Sequence, residues 1–160
     1  MTAIVVVSGN PRAGSRTHNL AVAVGAALAR RRDGAEPVVV EVGELGTGLL
    51  VPDDPATAAA LERIRGAEVL VVATPTYKGT FTGVLKVLLD RLPGGALAGK
   101  TAVPVVTAGI EPQATAALRY LSDLLSELGA DVVPGLAVVE AQLPEAAELA
   151  EKYAAAVALP

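Results

Sequence analysis

The run Ala3-Ile4-Val5-Val6-Val7-Ser8, then Gly9-Asn10-Pro11-Arg12-Ala13-Gly14-Ser15-Arg16-Thr17, then His18-Asn19-Leu20, decides the fold. Its first part is β-branched, apolar and of strand rather than helix length, and Gly9, Pro11 and Gly14 end it abruptly. From Thr17 onward Leu20, Val24 and Leu28 recur four apart, on one face of a helix that Ser15 or Thr17 caps and Gly34 closes. A strand, a glycine-containing loop and a helix in that order open a parallel α/β sheet.

The same alternation continues to the end of the chain. Residues 37–42 read as a second strand, with Glu41 marking a more exposed position. Asp53 and Asp54 before Pro55 read as an N-cap and its neighbour for a helix reaching about Arg65. Residues 68–73, nearly continuous in Val and Leu, form a third strand covered on both faces. Val84, Leu85, Leu88, Leu89 and Leu92 mark a third helix, and 101–107 a fourth strand that contains Pro104. A fourth helix spans 112–128, a fifth strand 131–139 is broken by Pro134 and Gly135, and a last helix runs from Pro144 to Ala158. Strands one, three and four are the most apolar and belong at the centre. The expected architecture is therefore α/β, a three-layer flavodoxin-like fold with a five-stranded parallel sheet of order 2-1-3-4-5 and helices on both faces.

Composition narrows the function classes. A chain of 160 residues makes one domain by length. Apolar residues are 52% of it and mean hydropathy is +0.49, yet no run approaches the ~18 to 20 apolar residues of a bilayer span. The net charge of -4 argues against nucleic acid as a partner. Without cysteine there is neither a disulfide framework nor a thiolate nucleophile, and no signal segment opens the chain, so a cytoplasmic setting is expected. No carboxylate precedes Asp33, whereas Arg12, Arg16, Arg30, Arg31 and Arg32 all do. The N-terminal fifth thus favours an anion, although Arg30 to Arg32 also suit a helix C-terminus without any ligand.

In such sheets ligands sit at the carboxyl ends of the strands where strand order reverses, here the loops after strands one, three and four. In the first loop, from Gly9 to Thr17, backbone N–H groups and a helix N-terminus converge on one anion. Gly14 is followed by Ser15 and Arg16 rather than the lysine of a nucleoside-triphosphate loop, and Gly9 and Gly14 are too far apart for a dinucleotide fingerprint. A terminal monophosphate held by Asn10, Arg12 and Ser15 fits better, with simple helix capping as the bland alternative. The absence of carboxylates after the first strand excludes a magnesium-dependent receiver domain. The second loop, 74–80, brings Tyr77 with Phe81 to the same region, either as flanks of a planar ring or as packing anchors. The third, Thr107-Ala108-Gly109-Ile110, offers approachable amides to the edge of a heterocycle. His18 and the Asp53–Asp54 pair receive no chemical role. No nucleophile, base and orienter set is evident, so a bound cofactor must supply any chemistry, and no catalytic side chain or metal ligand is assigned.

Two stretches carry a family likeness. Ser8-Gly9-Asn10-Pro11-Arg12-Ala13-Gly14-Ser15-Arg16 is similar to a G-S-P-R-x-x-S phosphate loop, and Ala73-Thr74-Pro75-Thr76-Tyr77-Lys78 through Gly83-Val84-Leu85-Lys86 to Leu89-Asp90-Arg91-Leu92-Pro93 to a P-x-Y-K…G-x-L-K…L-D-x-L-P segment. With these the sequence resembles the flavodoxin-like NADPH-dependent FMN reductase family, most closely the reductases of two-component sulfonate monooxygenase systems. The resemblance implies one flavin-binding domain over residues 1–160, with FMN and NADPH as cofactors and hydride passing from NADPH to the flavin. It assigns the FMN phosphate to the loop of Gly9, Asn10, Arg12, Ser15, Arg16 and Thr17. It assigns the ring to Pro75, Thr76, Tyr77 and Lys78 with Thr107, Ala108 and Gly109. Asn10 stands where the family usually has serine, and Ile110-Glu111-Pro112 replaces a second glycine. Ending soon after its last helix, the chain is expected to lack an attached partner-binding tail. Reduced flavin would go to an acceptor or a flavin-dependent monooxygenase partner. The alternatives are a quinone, azo or metal-oxyanion reductase with tightly bound FMN, a one-electron carrier, or a flavin-less module. A homodimer or tetramer is expected on the third and fourth helices, where Tyr77, Phe81, Leu89, Tyr120, Leu121, Leu124 and Leu125 offer more apolar surface than one sheet face can cover.

Overall fold

The computed structural model describes residues 3–160. Its sheet is parallel throughout and ordered β2 (Val38–Glu41), β1 (Ile4–Ser8), β3 (Val69–Pro75), β4 (Thr101–Ala108), with β5 (Asp131–Val132) and β6 (Leu136–Val139) sharing the last position beside β4. This is the 2-1-3-4-5 order expected from the sequence. Every residue of β1, β3 and β4 is buried, as Val-rich strands covered on both faces must be, while β2 at the edge buries only Val40.

Alternate strand residues face opposite layers. Val6, Val71, Val103 and Val105 pack under α1 (Arg16–Arg31) and α6 (Ala146–Ala156). Val5, Val7, Leu70, Val72 and Val106 pack under α3 (Pro55–Gly66), α4 (Gly83–Leu89) and α5 (Glu111–Glu127). The starts of three helices follow from their caps: Ser15 Oγ accepts from His18 N, Asp54 Oδ2 from Thr57 N ahead of Pro55, and Thr82 Oγ1 from Leu85 N.

Four expectations need correction. The fifth strand is two strands, because the interruption lies opposite Pro104, which has no N–H for the ladder. Between the pairs Ala102↔Val132 and Val105↔Leu136, β4 advances three residues and its neighbour four, a bulge whose Gly135 lies so close to Pro104 O that a Cβ there would come within 2.4 Å. The second strand stops at Glu41, and a short helix α2 (Val42–Leu45) with a 3₁₀ turn (Gly46–Leu50) follows. Gly43, Gly46 and Gly48 hide this segment from propensity, and tertiary bonds hold it: the Arg91 guanidinium donates to the carbonyls of Leu49, Val51 and Pro52. Pro144 lies inside a 3₁₀ turn (Glu140–Glu145), so the last helix begins only at Ala146 and ends at Ala156. Finally, Leu89, Leu121 and Leu125 are buried within the chain itself, and Phe81 and Leu124 pack partly against the same core. Of the surface expected to form an interface, only Tyr77 and Tyr120 stand well exposed.

Candidate functional site

The loop after β1 is shaped by the chain around it. Gly9 N donates to Ala73 O at 2.7 Å, and a Cβ on Gly9 would lie 2.9 Å from that oxygen and 3.0 Å from Leu85 Cβ. Gly9 is thus a packing glycine, holding loop and β3 together. Asn10 Oδ1 accepts from Arg12 N at 2.8 Å. Gly14, with φ +67°, turns the chain into α1, and its N–H donates to Glu41 Oε1 at 2.9 Å. Pro11 O and Asn10 O come so near Gly43 that a Cβ there would sit 2.6 and 2.8 Å from them. Thus β2 and the turn after it form a wall behind the loop.

The other two loops are tied to the first by hydroxyls. Thr82 Oγ1 donates to Gly9 O at 2.5 Å, and Thr82 N donates to Thr74 Oγ1 at 3.1 Å. Thr17 and Thr107 share a buried hydroxyl–hydroxyl bond of 2.7 Å. Thr76 donates twice to Thr107 O, from its N–H at 2.8 Å and its hydroxyl at 2.9 Å. Beyond it Tyr77 and Thr80 pair across a two-residue turn in which Lys78 (φ +54°) and Gly79 (φ +88°) both take the left-handed conformation of a tight hairpin. This turn holds the Tyr77 ring in solvent.

Where the loops meet there is a cleft of about 120 Å³, lined by Asn10, Arg12, Ser15, Arg16, Thr17, Pro75, Tyr77 and Thr107, together with Glu140 and Leu143. Sequence reasoning had singled out the first eight. Gly9, Thr76, Lys78, Ala108 and Gly109 do not line the cleft: Gly9 and Ala108 are buried, Thr76 spends its donors on Thr107, and Lys78 and Gly109 lie exposed in their loops. A larger hollow of about 530 Å³ beside Glu111, Pro112, Thr115 and Arg119 on α5 includes none of the loop residues, so volume alone does not choose the site.

Sequence reasoning missed Glu41, Gly43, Thr82, Glu140 and Leu143. Thr82 carried a usable signal, a cap residue just before a helix, and Glu41 another, a carboxylate ending a strand beside the loop. Glu140 and Leu143 carried none, because the 3₁₀ turn that delivers them follows the broken last strand and was not expected there.

The cleft is a place for an anion. The first turn of α1 holds no acidic residue, Ser15 caps it, and Arg12 and Arg16 flank its positive end. Glu140 is the one carboxylate in the lining, and its Oε1 lies 3.6 Å from Arg16 Nη2. Glu41 sits behind the loop with Oε1 2.9 Å from His18 Nδ1. Burial pushes its carboxyl upward, but the Gly14 N–H, the Glu44 side chain and the His18 charge together bring it below the usual carboxylate value. Its charge therefore stays on the loop's far side at neutral pH. Among the described residues no group of three His, Cys, Asp or Glu is placed to hold a metal, and no helix is long and apolar enough to cross a membrane.

Comparison with known proteins gives the site its context. A family model described as NADPH-dependent FMN reductase matches residues 2–145. An Escherichia coli K12 protein named FMN reductase (NADPH) is 33% identical over 138 residues, 81% of this chain and 69% of that protein. A Pseudomonas putida protein named NADH-dependent FMN reductase SfnF is 35% identical over 136 residues, 82% of this chain and 73% of its own. Among solved structures, the apo form of the NADH:FMN oxidoreductase EMOB superimposes with a TM-score of 0.83 at 29% identity, over 100% of this chain and 92% of that one. The general stress protein 14 of Treponema denticola, solved with FMN, shares the fold at 20% identity and a TM-score of 0.66, covering 97% of each chain.

Proposed function

The chain belongs to the NADPH-dependent FMN reductase family and is a flavin-binding oxidoreductase that uses FMN and NADPH, and on that premise we propose how its own residues serve the reaction. The carrying observation is the donor-lined cleft at the carboxyl ends of β1, β3 and β4. Arg12 and Arg16 supply charge, Ser15 and Asn10 supply polar contacts, and the α1 N-terminus adds its dipole, a combination matched to a phosphate monoester. Thr17, spent on Thr107, is a positioning residue that locks the phosphate loop to the third loop.

The cleft is well below the ~300 Å³ at which a pocket encloses a drug-sized ligand. It therefore suits the phosphate end of FMN, with the ring lying outside it beside Pro75 and the exposed Tyr77. When bound, FMN supplies the redox chemistry, accepting hydride from NADPH and passing the electrons on. This chain's part is to bind, orient and exclude water on one side. We assign the cover of the ring to a second copy: Tyr77 and Tyr120 are exposed aromatics suited to a homodimer or a dimer of dimers. We also propose that residues 1–160 act as one flavin-binding domain and that a flavin-dependent monooxygenase takes the reduced flavin. Relatives are named for NADPH and for NADH, so initial rates with each nucleotide are the comparison to make, with NADPH expected to be preferred.

Titrating FMN while following NADPH oxidation tests the reading. Turnover that requires FMN and saturates with it is the expected result. A yellow protein inert to both nicotinamide nucleotides would instead be a carrier, and a colourless one that ignores FMN a module.

A further inference from the structure

Of the side chains that the phosphate loop contributes to the cleft, Asn10, Arg12, Ser15 and Arg16 can donate to an anion, Thr17 being bonded to Thr107. The facing wall holds a carboxylate, Glu140, delivered by the 3₁₀ turn that leaves β6. A phosphate entering this cleft meets a like charge. Glu140 also already engages one of the two arginines, with Oε1 3.6 Å from Arg16 Nη2. Both side chains are more than half exposed, at 65% for Arg16 and 58% for Glu140, and an ion pair so solvated adds little to folding. Stability therefore does not account for its place in the wall of an anion site.

We propose that Glu140 is a built-in competitor of the flavin phosphate, which engages Arg16 and lowers the affinity for FMN. The inference rests on the phosphate-site reading above and deepens it, because it names a residue of this chain that sets how tightly the phosphate is held. Its signature is selective. Riboflavin has the same ring and ribityl chain but no phosphate, so the carboxylate weakens FMN and leaves riboflavin alone.

The test is Glu140→Gln, which keeps the size and removes the charge at an exposed position, with Kd for FMN and for riboflavin read by quenching of flavin fluorescence. Removing one charge near a dianion in a solvated cleft should tighten FMN roughly three- to tenfold and leave riboflavin unchanged. The gain should shrink as added salt shortens the Debye length from ~30 Å at 0.01 M to ~3 Å at 1 M. Arg16→Gln should cost little FMN affinity in the native background and several-fold more in the Glu140→Gln background, where the guanidinium is released to the phosphate. Unchanged or weaker FMN binding in Glu140→Gln, or an equal gain for riboflavin, overturns the proposal. Arg12→Ala separates the two levels. If it weakens FMN selectively and Glu140→Gln does nothing, only the competitor role falls; if neither variant distinguishes FMN from riboflavin, the phosphate site itself is misassigned.

Discussion

Replacing Thr82 by valine removes one hydroxyl and nothing else of comparable size, yet that hydroxyl joins the site to the fold. It donates to Gly9 O at 2.5 Å and accepts from Leu85 N at 3.3 Å as the cap of α4, in a residue only 1% exposed. Losing the cap costs ~1 kcal/mol, and leaving a buried carbonyl without its donor costs ~1 to 3 kcal/mol, so Thr82→Val should lose about 2 to 4 kcal/mol. Valine tolerates the extended backbone at this position, which keeps strain out of the comparison. Urea denaturation with an unchanged m value measures the loss, and thermal melting should fall by roughly 5 to 15 °C for a chain of this size. Because Gly9 opens the phosphate loop, FMN binding should weaken as well, and Thr82→Ser, which keeps the hydroxyl, should restore both. A loss below ~1 kcal/mol, or no rescue by serine, would refute the claim that this bond fixes the loop.

Two further outcomes follow from burial. Leu124→Arg, at a partly exposed position on α5, should give a folded monomer by sedimentation with weaker FMN binding, whereas Leu89→Arg, buried in the core, should simply unfold; a Leu124→Arg protein that stays dimeric removes α5 from the interface. Burial pushes the Tyr153 phenol up to about 12 from 10.0, with its hydroxyl donating to Pro134 O at 2.6 Å. Its folded-state value being the higher, this contribution is complete below pH 10 and fades as pH rises toward 12, so the native protein should lose more stability over that interval than Tyr153→Phe, and parallel losses would contradict it.

The central strands and their order were legible because a parallel strand buried on both faces must be written in Val, Leu and Ile, as β1 and β3 are. Arg12, Ser15 and Pro75 were legible because loop chemistry between a strand and a helix is local. The 42–50 segment was not, since its helix and turn are pinned by Arg91, about forty residues away, which binds the carbonyl of Leu49 and those of Val51 and Pro52 just after it. Glu140 was invisible for a similar reason: its position depends on the bulge opposite Pro104, a matter of register between distant strands. The surplus of leucines that suggested a wide interface proved to be core, because α4 and α5 cover more of the sheet than their spacing alone conveyed.

If the loop from Gly9 to Thr17 holds the FMN phosphate, Arg12→Ala must expose it. Arg12 is exposed at the cleft's edge, so its removal should leave folding intact. A charge-assisted hydrogen bond of ~1.5 to 3 kcal/mol corresponds to roughly ten- to a hundredfold in Kd, which FMN should lose and riboflavin should keep. Equal losses for the two flavins, or none for FMN, would contradict it.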